Sequence, residues 1–464
     1  MATPDLEPTT VESFGDHLQG NVLRPGDEGY DEARTVWNAM IDKEPAVIVQ
    51  CTGAADVIAA VNFARDLDLP LAVKGGGHNV SGLAVCDDGM AIDLSPMNAV
   101  RVDPEAQIAR VQAGATMADL DHETQAYGLA TTGGIVSTTG VAGLTLGGGL
   151  GRLDRKFGLA IDNLLSVDVV TAEGELVHAN ETENPDLFWG LRGGGGNFGV
   201  VTSFEFQLHE IGPDVLAGRL IYPVEAATDV LSFYRDFMTE APDGVQCYAA
   251  FVQVPPLPEF PEPIHGQMVF ILIPFYAGDI EQGTEILQPL RDVGDPIADT
   301  VRPQPYTVFQ SGSDEIYQEG HRNYWKSHYL GGLSDEAIDT MVEYATPIPT
   351  PFTTVFLEWM GGAIGRVDAD ATAFPHRDAT LSFTVAPKWS DPELDDDLIE
   401  WAREFHEGMT PYASEGVYAN YLDRDEGDRV KTAYGENFDR LVEVKNEWDP
   451  ENLFQMNQNI EPSV

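Results

Sequence analysis

Three glycine-rich stretches lie in the first half of this chain of 464 residues. Ordering a glycine costs more backbone entropy than ordering any other residue, so such stretches need a physical reason. Backbone without a Cβ adopts positive φ easily and lets its N–H groups approach a phosphate group closely. Because strand-like apolar runs flank each stretch, we predict ordered loops that together bind a long, phosphate-containing ligand, rather than flexible turns. The stretches are KGGGHNVSG (74–82), GGIVSTTGVAGLTLGGGLG (133–151) and RGGGGNFGVV (192–201).

The first stretch does not match the common nucleotide-binding motifs. A dinucleotide fold needs G-x-G-x-x-G between a strand and a helix, and a P-loop needs G-x-x-x-x-G-K-[ST]. GGGHNVSG follows a predicted strand, LAVK, but it has another spacing and no helical pattern follows it. A diphosphate ligand is therefore indicated without either fold. A lone histidine is usually an ordinary core or surface residue, but His78, beside phosphate-binding backbone, points to a ligand.

Local patterns predict two α+β units, a further domain and a C-terminal segment. Proline and aromatic residues become more frequent after Gly212, and the loop PPLPEFPEPIHG (255–266) excludes helix and central strand. Apolar periodicity gives the elements of the two units. They are strands at 46–50, 71–74 and 91–94, a helix with Val57, Ile58, Val61 and Ala64 on one face, a hairpin over 99–112, a helix at 117–128, a hairpin over 166–179 and a strand at 199–209.

The charge balance is strongly acidic, with 26 Lys and Arg against 76 Asp and Glu and a formal net charge of -50. Only seven of the basic residues are lysines, and the acidic residues are spread along the whole chain. Such a surface repels nucleic-acid phosphates and excludes nucleic acid as a partner. It also repels itself unless salt screens the charges, since the Debye length falls to about 3 Å at 1 M salt. The composition is typical of proteins from salt-accumulating halophiles; an ordinary acidic protein is the alternative.

Nothing in the sequence predicts a disulfide framework, a metal site or a membrane span. The cysteines are odd in number and far apart, at Cys51, Cys86 and Cys247. The N-terminal residues MATPDLEPTTVESFGDHL lack the basic and apolar regions of a signal peptide. No apolar run approaches the ~20 residues that a transmembrane helix needs. We therefore expect a cytoplasmic protein without a metal or a membrane partner.

The motif KGGGHN resembles the Arg/Lys-x-Gly-Gly-His signature of FAD-linked oxidases of the berberine-bridge-enzyme-like group, which share the FAD-binding fold of vanillyl-alcohol oxidase. Further stretches resemble that family's segments and occur in the same order along roughly half of the chain. They are 128–175 and 184–206 for the second and third FAD segments, AFPHRDA (373–379) in the substrate domain, and YANYLD (418–423) with YGENFDRLVEVKNEWDPENLF (434–454) at the C-terminal end.

The resemblance implies an α+β fold in two domains. We expect an FAD-binding domain of the vanillyl-alcohol oxidase type over 1–212, divided into subdomains at about 35–112 and 113–212. We expect an α+β substrate-binding domain with an antiparallel sheet over 213–414. The segment 415–464 is then expected to return to the FAD-binding domain.

The resemblance also implies which residues hold the cofactor. His78 matches the histidine that bonds covalently to the flavin 8α-methyl group. Some relatives carry a second bond from a cysteine near 133–140, but Val136 or a neighbour stands there, and no cysteine lies between Cys86 and Cys247, so a single bond is expected. Ser137 and Thr138 are expected to donate hydrogen bonds to the diphosphate. The other expected FAD-binding residues are Lys74, Gly75, Gly76, Gly77, Asn79, Ser81, Gly82, Gly134, Gly140, Gly143, Gly147, Val201 and Asn420.

The family reaction transfers a hydride from a substrate carbon to the flavin while a base takes a proton. The resemblance makes Tyr418 the candidate base; a buried tyrosine that anchors the C-terminal segment is the alternative. In a strand, Asn420 would share its face toward the flavin, and Tyr421 would point away into the core. His376 and Arg377 are expected to hold the fold.

The strand after the Pro-His-Arg motif departs from the family pattern. Relatives often place a carboxylate or a glutamine there, but ATLSFTVAPKW (379–389) offers only Thr380, Ser382 and Thr384. The acid–base pair is therefore incomplete, or its other member comes from elsewhere in the chain.

We expect an enzyme that oxidises an alcohol, sugar or amine and passes the electrons to O2 or another acceptor. A flavin-binding protein without turnover, serving storage or sequestration, and an FAD dehydrogenase that uses an acceptor other than O2 are the alternatives. The sequence leaves the substrate and the oligomeric state open.

Overall fold

The computed structural model describes residues 8–254, 256 and 262–464. Two expectations fall partly outside these residues: the absence of a signal peptide at the N-terminus, and the loop predicted over 255–266. In the described part of the chain, no helix combines the length and the apolar character needed to cross a bilayer. The three cysteines are buried and form no disulfide bond.

The first part of the chain forms a four-stranded sheet with helices packed on it. Its elements are α1 (Pro8–Gly15), β1 (Asn21–Leu23), α2 (Tyr30–Arg34), β2 (Val47–Gln50), α3 (Ala54–Asp66), β3 (Leu71–Lys74) and β4 (Met90–Asp93). The strand order is β1-β2-β4-β3, with β1 antiparallel to its neighbour and the others parallel. Helix α3 buries Val57, Val61 and Ala64 of its predicted apolar face completely. Strand β3 leads directly into the first glycine stretch.

The second part is a five-stranded antiparallel sheet in the order β5-β6-β10-β8-β9. A capping box starts its longest helix, because the Thr116 side chain accepts from the Asp119 N–H and the Asp119 carboxylate accepts from the Thr116 N–H. Its elements are β5 (Val100–Asp103), β6 (Ile108–Gln112), α4 (Met117–Gln125), β7 (Leu129–Ala130), α5 (Val141–Leu146), α6 (Asp154–Phe157), β8 (Leu164–Val170), β9 (Leu176–Asn180), α7 (Pro185–Leu191), β10 (Val200–Gln207) and β11 (His209–Glu210).

The hairpin β5–β6 does not belong to the first unit, where the division at about 112 placed it. Strand β6 pairs along its whole length with β10, from Gln112 opposite Ser203 to Ile108 opposite Gln207. The hairpin is therefore part of the second sheet, and the boundary between the two sheets lies before β5. A hairpin is a local signal, whereas its third strand comes from far along the chain, so local patterns do not show this pairing.

The third part is built on a nine-stranded sheet with antiparallel pairing, as the sequence predicts. Strands β14, β20 and β21 lie side by side near its centre. Alternate residues of β14 face opposite sides, so Val245, Cys247 and Ala249 join the helix-covered core while Tyr248 faces the other parts of the chain. Its elements are β12 (Asp214–Ala217), β13 (Leu220–Pro223), α8 (Ala227–Glu240), β14 (Val245–Gln253), β15 (Met268–Tyr276), α9 (Ile280–Asp292), β16 (Ala298–Asp299), β17 (Arg302–Pro305), α10 (Tyr306–Gln310), β18 (Arg322–Asn323), β19 (Lys326–Leu330), α11 (Asp335–Tyr344), β20 (Thr354–Trp359), β21 (Leu381–Ala386), β22 (Lys388–Trp389) and α12 (Asp395–Met409).

The C-terminal segment carries α13 (Val430–Tyr434) and α14 (Phe438–Trp448) and is tied to the third glycine stretch. The fully buried Lys445 donates to the carbonyl of Asn197 at 2.8 Å and to the Asp449 carboxylate at 2.7 Å. The Asn197 side chain in turn accepts from the Ile460 N–H at 2.9 Å. These buried contacts fix residues 445–460 against the glycine backbone.

Candidate functional site

A cavity of about 300 Å3 lies where these parts meet. All three glycine stretches line it, and so do the turn at 418–421 and residues near 454–458 of the C-terminal segment. The third part of the chain adds Tyr317, Trp325, Phe356 and Glu358. The cavity therefore joins bare backbone to a group of aromatic and acidic side chains.

The first two glycine stretches touch each other through backbone. A Cβ placed on Gly76 would lie 2.3 Å from the Gly140 nitrogen, and one on Gly140 would lie 2.3 Å from the Gly76 nitrogen. No larger residue fits at either position without separating the two stretches. Glycine is needed here for close approach, which brings two sets of backbone N–H groups to one wall of the cavity.

Other positions leave open space that matches a ligand. No atom lies within 4 Å of where a Cβ on Gly143 or Gly196 would stand. The buried Oδ1 atom of Asn457, a cavity-lining residue, has no hydrogen-bond partner among the described residues. A buried acceptor of this kind normally has a partner. Open glycine backbone and an unpartnered amide oxygen fit a bound FAD.

His78 lies at the cavity wall with its imidazole held on two sides. Its ring stacks on Trp37 with 5.1 Å between centroids, and its Nε2 hydrogen-bonds the Thr138 hydroxyl at 2.7 Å. Burial, with a smaller effect of the nearby Lys388 charge, lowers the pKa of His78 to about 4. The imidazole is therefore neutral at pH 7 and held in one orientation, with its Nδ1 3.5 Å from the Thr139 hydroxyl.

The Tyr418 hydroxyl is surrounded by N–H donors. Its oxygen accepts from the Gly149 N–H at 2.9 Å, from the Leu150 N–H at 3.4 Å and from the Asn420 Nδ2 at 2.9 Å. Burial raises the pKa of Tyr418 to about 12, although these donors act in the opposite direction. Tyr418 is thus a neutral phenol at pH 7, and no acceptor in the described part of the chain takes its hydroxyl hydrogen.

The backbone at 418–421 is not the strand assumed from the sequence. Tyr418 is extended and precedes a 3-10 turn over Ala419–Tyr421, so the two-residue alternation of a strand does not apply. Asn420 nevertheless meets Tyr418, through the hydrogen bond above. The expectation that Tyr421 points away is wrong: its ring centroid lies 4.8 Å from that of Tyr418, and it lines the cavity.

A buried carboxylate, Glu358, lines the cavity from the strand next to the one that follows the Pro-His-Arg motif. It lies on β20, directly opposite Ser382 of β21, and accepts from the Tyr421 hydroxyl at 2.9 Å. The side chain is buried, and burial raises its pKa to about 8. Sequence reasoning missed this residue. A lone acid in the otherwise apolar run TTVFLEWM was the available signal, because buried acids are rare unless they have a partner or a function.

Most of the predicted site residues come together at this cavity. The residues that line it are His78, Tyr418, Gly75, Gly76, Gly77, Asn79, Gly134, Gly140, Gly143, Gly147, Val201 and Asn420. A Cβ on Gly147 would lie 2.1 Å from the Asn420 side-chain oxygen, so this glycine is needed for the turn at 418–421 to approach the second stretch.

Five predicted residues do not line the cavity and have other contacts. Lys74 donates to the carbonyls of Ala33 and Thr35, and Ser81 donates to the carbonyl of Leu422. Gly82 has a φ of 68° and packs against Ile41. The Ser137 N–H donates to Asp314, and the Thr138 hydroxyl binds His78. The Thr138 hydroxyl, 2.7 Å from Nε2, fixes the orientation of the imidazole.

The Pro-His-Arg motif has structural contacts, as expected. Arg377 forms a buried bidentate ion pair with Asp162 at 2.7 and 2.8 Å, and His376 Nε2 contacts the carbonyls of Thr432 and Ala433. Neither side chain lines the cavity.

Two family models match the chain. A model described as FAD binding domain matches residues 45–180, and one described as berberine and berberine like matches residues 417–461. The first covers the first two glycine stretches and His78. The second covers Tyr418, Asn420 and the tie between the C-terminal segment and Asn197.

Whole-length relatives agree with these models. The chain is 30% identical over 457 residues to an FAD-linked oxidoreductase of Dictyostelium discoideum, covering 97% of each protein. It is 31% identical over 460 residues to (R)-6-hydroxynicotine oxidase of Paenarthrobacter nicotinovorans, covering 96% of this chain and 97% of that one.

Solved structures confirm the predicted fold. The 6-hydroxy-D-nicotine oxidase of Arthrobacter nicotinovorans superposes with a TM-score of 0.87 at 29% identity, covering 96% of this chain and 98% of that one. A chitooligosaccharide oxidase superposes with a TM-score of 0.84 at 25% identity, covering 98% and 100%. Sequence, cavity and relatives lead to one conclusion: the chain belongs to the berberine-bridge-enzyme-like family of FAD-linked oxidoreductases and is an FAD-dependent oxidoreductase.

Proposed function

We propose that this enzyme oxidises a C–H bond next to an oxygen or nitrogen atom of a small organic substrate, with FAD attached covalently at His78. One observation carries the proposal: Tyr418, Tyr421 and Glu358 form a connected group in the same cavity as the glycine backbone. Similar proteins are named for a hydroxynicotine and a chitooligosaccharide, an amine and a sugar. Both compound classes contain such C–H bonds.

The two ends of the cavity would bind different molecules. Backbone of residues 1–212 and 415–464 would hold the FAD. The other end of the cavity, with side chains such as Tyr418 and Glu358, would contact the substrate. When bound, FAD accepts the hydride of the substrate's C–H bond and passes the electrons to O2 or another acceptor. The chain's own task is then to orient the substrate and to take the proton of its O–H or N–H group.

We assign the proton-accepting role to Glu358 rather than Tyr418. A general base works best with a pKa near the working pH. The pKa of Glu358 is raised to about 8, whereas that of Tyr418 is raised to about 12. The Tyr418 oxygen accepts three hydrogen bonds, so its own hydrogen is directed to a ligand. Tyr418 would then donate to the substrate heteroatom while Glu358 takes the proton.

Anaerobic bleaching of the oxidised flavin by a panel of alcohols, sugars and amines tests the function. We expect at least one member to reduce the flavin, with the spectrum of the oxidised form returning on admission of O2 or an artificial acceptor. A storage or sequestration protein would bind FAD, and no member of a broad panel would bleach it. Recovery with the artificial acceptor but not with O2 would identify a dehydrogenase.

Acid precipitation should leave the flavin attached to the protein. The bond joins an imidazole nitrogen to the 8α-methyl carbon; one C–H and one N–H bond break, and two electrons and two protons pass to an oxidant such as O2. His78→Ala should retain FAD noncovalently, because the glycine walls remain, and should release it into the acid supernatant. Mass spectrometry of the peptide that contains His78 provides the direct measurement.

His178→Ala is the matched control for that experiment. His178 contacts Asp168 at 2.8 Å on the second sheet and does not line the cavity. Its loss should leave the acid-stable flavin unchanged. A wild-type pellet without colour, with all of the FAD in the supernatant, contradicts the covalent bond.

We also propose that the enzyme works in concentrated salt. The net charge of -50 makes the folded chain repel itself, and salt near 1 M shortens the Debye length to about 3 Å. The melting temperature should therefore rise steeply between low salt and about 1 M KCl. Sucrose at matched osmolality, which screens no charge, should give a smaller rise. A melting temperature that does not depend on salt is the contrary result.

A further inference from the structure

A second chamber opens beside the central cavity, at the end that holds Tyr418 and Glu358. It has a volume of about 60 Å3, several times the roughly 10–15 Å3 that one water molecule requires. Ile135, Tyr317 and Phe356 line both spaces, so they form the boundary between them. The chamber is therefore an extension of the substrate end of the site, with room for a small functional group.

The chamber wall contains a buried arginine without a counter-charge. Arg152 is 4% exposed, and its guanidinium lies over the Phe309 ring at 4.3 Å and the Tyr248 ring at 5.4 Å. Its Nε has no hydrogen-bond partner among the described residues, and none of their carboxylates comes within ion-pair distance of it. Buried charges are normally paired, because an isolated charge loses its hydration without compensation.

The scarcity of basic residues makes this lack of a partner more informative. The chain has 76 acidic residues against 26 basic ones, so a carboxylate partner is easily supplied. The buried Arg377, for comparison, is paired with Asp162 at 2.7 Å. The Tyr248 hydroxyl in the same wall is also buried without a partner. A cation and a hydroxyl donor thus face one small space, and both have unused hydrogen-bond donors.

The sheet fixes the distance between this chamber and the reacting end. Tyr248 on β14 lies directly opposite Glu358 on β20, and neighbouring strands are about 4.8 Å apart. Arg152 contacts the Tyr248 ring from the chamber side. The Arg152 guanidinium therefore lies about one strand spacing and one ring contact away from the Glu358 carboxyl group. A substrate with a few bonded atoms fits between the two side chains.

We propose that the substrate is a small organic acid whose carboxylate binds Arg152 and Tyr248 in this chamber, with its reacting C–H bond held beside Tyr418 and Glu358. The inference rests on the proposed function and narrows its substrate class. A purely cationic substrate would be repelled.

Binding of benzoate to the oxidised holoenzyme tests this without turnover. The measurement is the change in visible flavin absorption on titration with benzoate or with benzamide, its neutral analogue, at constant ionic strength. We expect benzoate to bind wild type at least tenfold more tightly than benzamide. Arg152→Met keeps an unbranched apolar side chain without the charge and should abolish this preference, while Arg152→Lys should keep part of it.

Arg440→Met is the matched control. Arg440 also lies over an aromatic ring, 3.9 Å from the Trp189 centroid, but it lines neither space and pairs with Asp186 on the surface. Arg440→Met changes the net charge by the same amount as Arg152→Met and should leave the preference for benzoate over benzamide unchanged. Variants are compared at equal flavin content and after a check of the melting temperature.

The outcomes separate this inference from the proposed function. Equal binding of benzoate and benzamide in wild type, or a benzoate preference that survives in Arg152→Met, overturns the acid site. Competition by chloride as strong as that by benzoate would show a site for inorganic anions only and overturns it as well. A benzoate preference that depends on Arg152, with no acid, alcohol, sugar or amine reducing the flavin, supports the anion site and refutes the oxidase. If the flavin is reduced, carboxylate substrates should react faster than their amides only when Arg152 is present.

Discussion

Flavin reduction should slow by about 10²- to 10⁴-fold when Glu358 is replaced by Gln, the usual contribution of a general base. Glutamine keeps the shape of the side chain and can still accept the Tyr421 hydrogen bond, but it cannot take a proton. At about 1.36 kcal/mol for each tenfold change, the barrier rises by about 3–5 kcal/mol. The measurement is the rate of anaerobic flavin reduction in rapid mixing, with a substrate found in the panel.

The pH profile gives Glu358 a second and independent readout. The pKa of Glu358 is about 8, so the wild-type rate should rise with pH through about 8 as the carboxylate forms, and this rise should be lost in the Gln variant. Ionisation of Glu358 should have the opposite effect on stability, lowering the free energy of unfolding as pH rises. The folded pKa lies above the ordinary 4.5, so between those values the folded state binds more protons than the unfolded state. The free energy of unfolding should therefore fall as pH rises from about 4.5 to 8, and less so in the variant.

Asp121→Asn provides the control for a buried carboxyl group. Burial raises the pKa of Asp121 to about 7, but this side chain contacts Gln310 and does not line the cavity. It should change the pH dependence of stability and leave the reduction rate and its pH profile unchanged. A Glu358→Gln rate within about threefold of wild type, in fully flavinylated protein, would place the base elsewhere.

Replacing Tyr418 by Phe should slow flavin reduction by about 10²-fold, at the lower end of the range for proton-transfer groups. Phenylalanine keeps the ring packing against Phe374 and Tyr421 and removes only the hydroxyl. The substrate then loses a hydrogen-bond donor. Flavin content should remain near the wild-type value, because the glycine walls are untouched.

Tyr234→Phe separates that chemical effect from the loss of a buried hydrogen bond. Tyr234 is fully buried and donates to the Cys247 carbonyl at 2.8 Å, on the helix-covered side of the third sheet. Its loss should reduce stability and leave the reduction rate unchanged. If Tyr418 only anchors the C-terminal segment, Tyr418→Phe will behave in the same way, with lower stability or flavin loading and a normal rate.

The sequence was most informative where backbone geometry restricts the residue type. Gly76 and Gly140 approach too closely for any side chain, so the need for contact between two distant loops is visible in the residues themselves. The sequence was also informative at His78: its position directly after the glycines predicted that it lies at the wall of the ligand cavity. At such positions the residue type itself indicates a contact made in the folded chain. The fold was then predicted from the resemblance to a known family.

The missed features depend on which strands become neighbours. Glu358 lies beside the strand that follows the Pro-His-Arg motif because β20 pairs with β21, and the hairpin β5–β6 belongs to the second sheet because β6 pairs with β10. Neither pairing follows from local periodicity. Tyr421 was misplaced for another reason: the strand alternation assumed at 418–421 fails in a 3-10 turn, which brings both tyrosine rings to one side.

The contacts between Asn197 and the C-terminal segment involve residues that are synthesised last. Phe454, Met456, Asn457 and Gln458 form part of the cavity wall opposite loops made from the first half of the chain. While the ribosome is still synthesising the third part, the cofactor has only an open surface to bind. A complete enclosure exists only after residue 458 has been made and Lys445 has reached Asn197. We therefore expect flavin capture to follow synthesis of the whole chain.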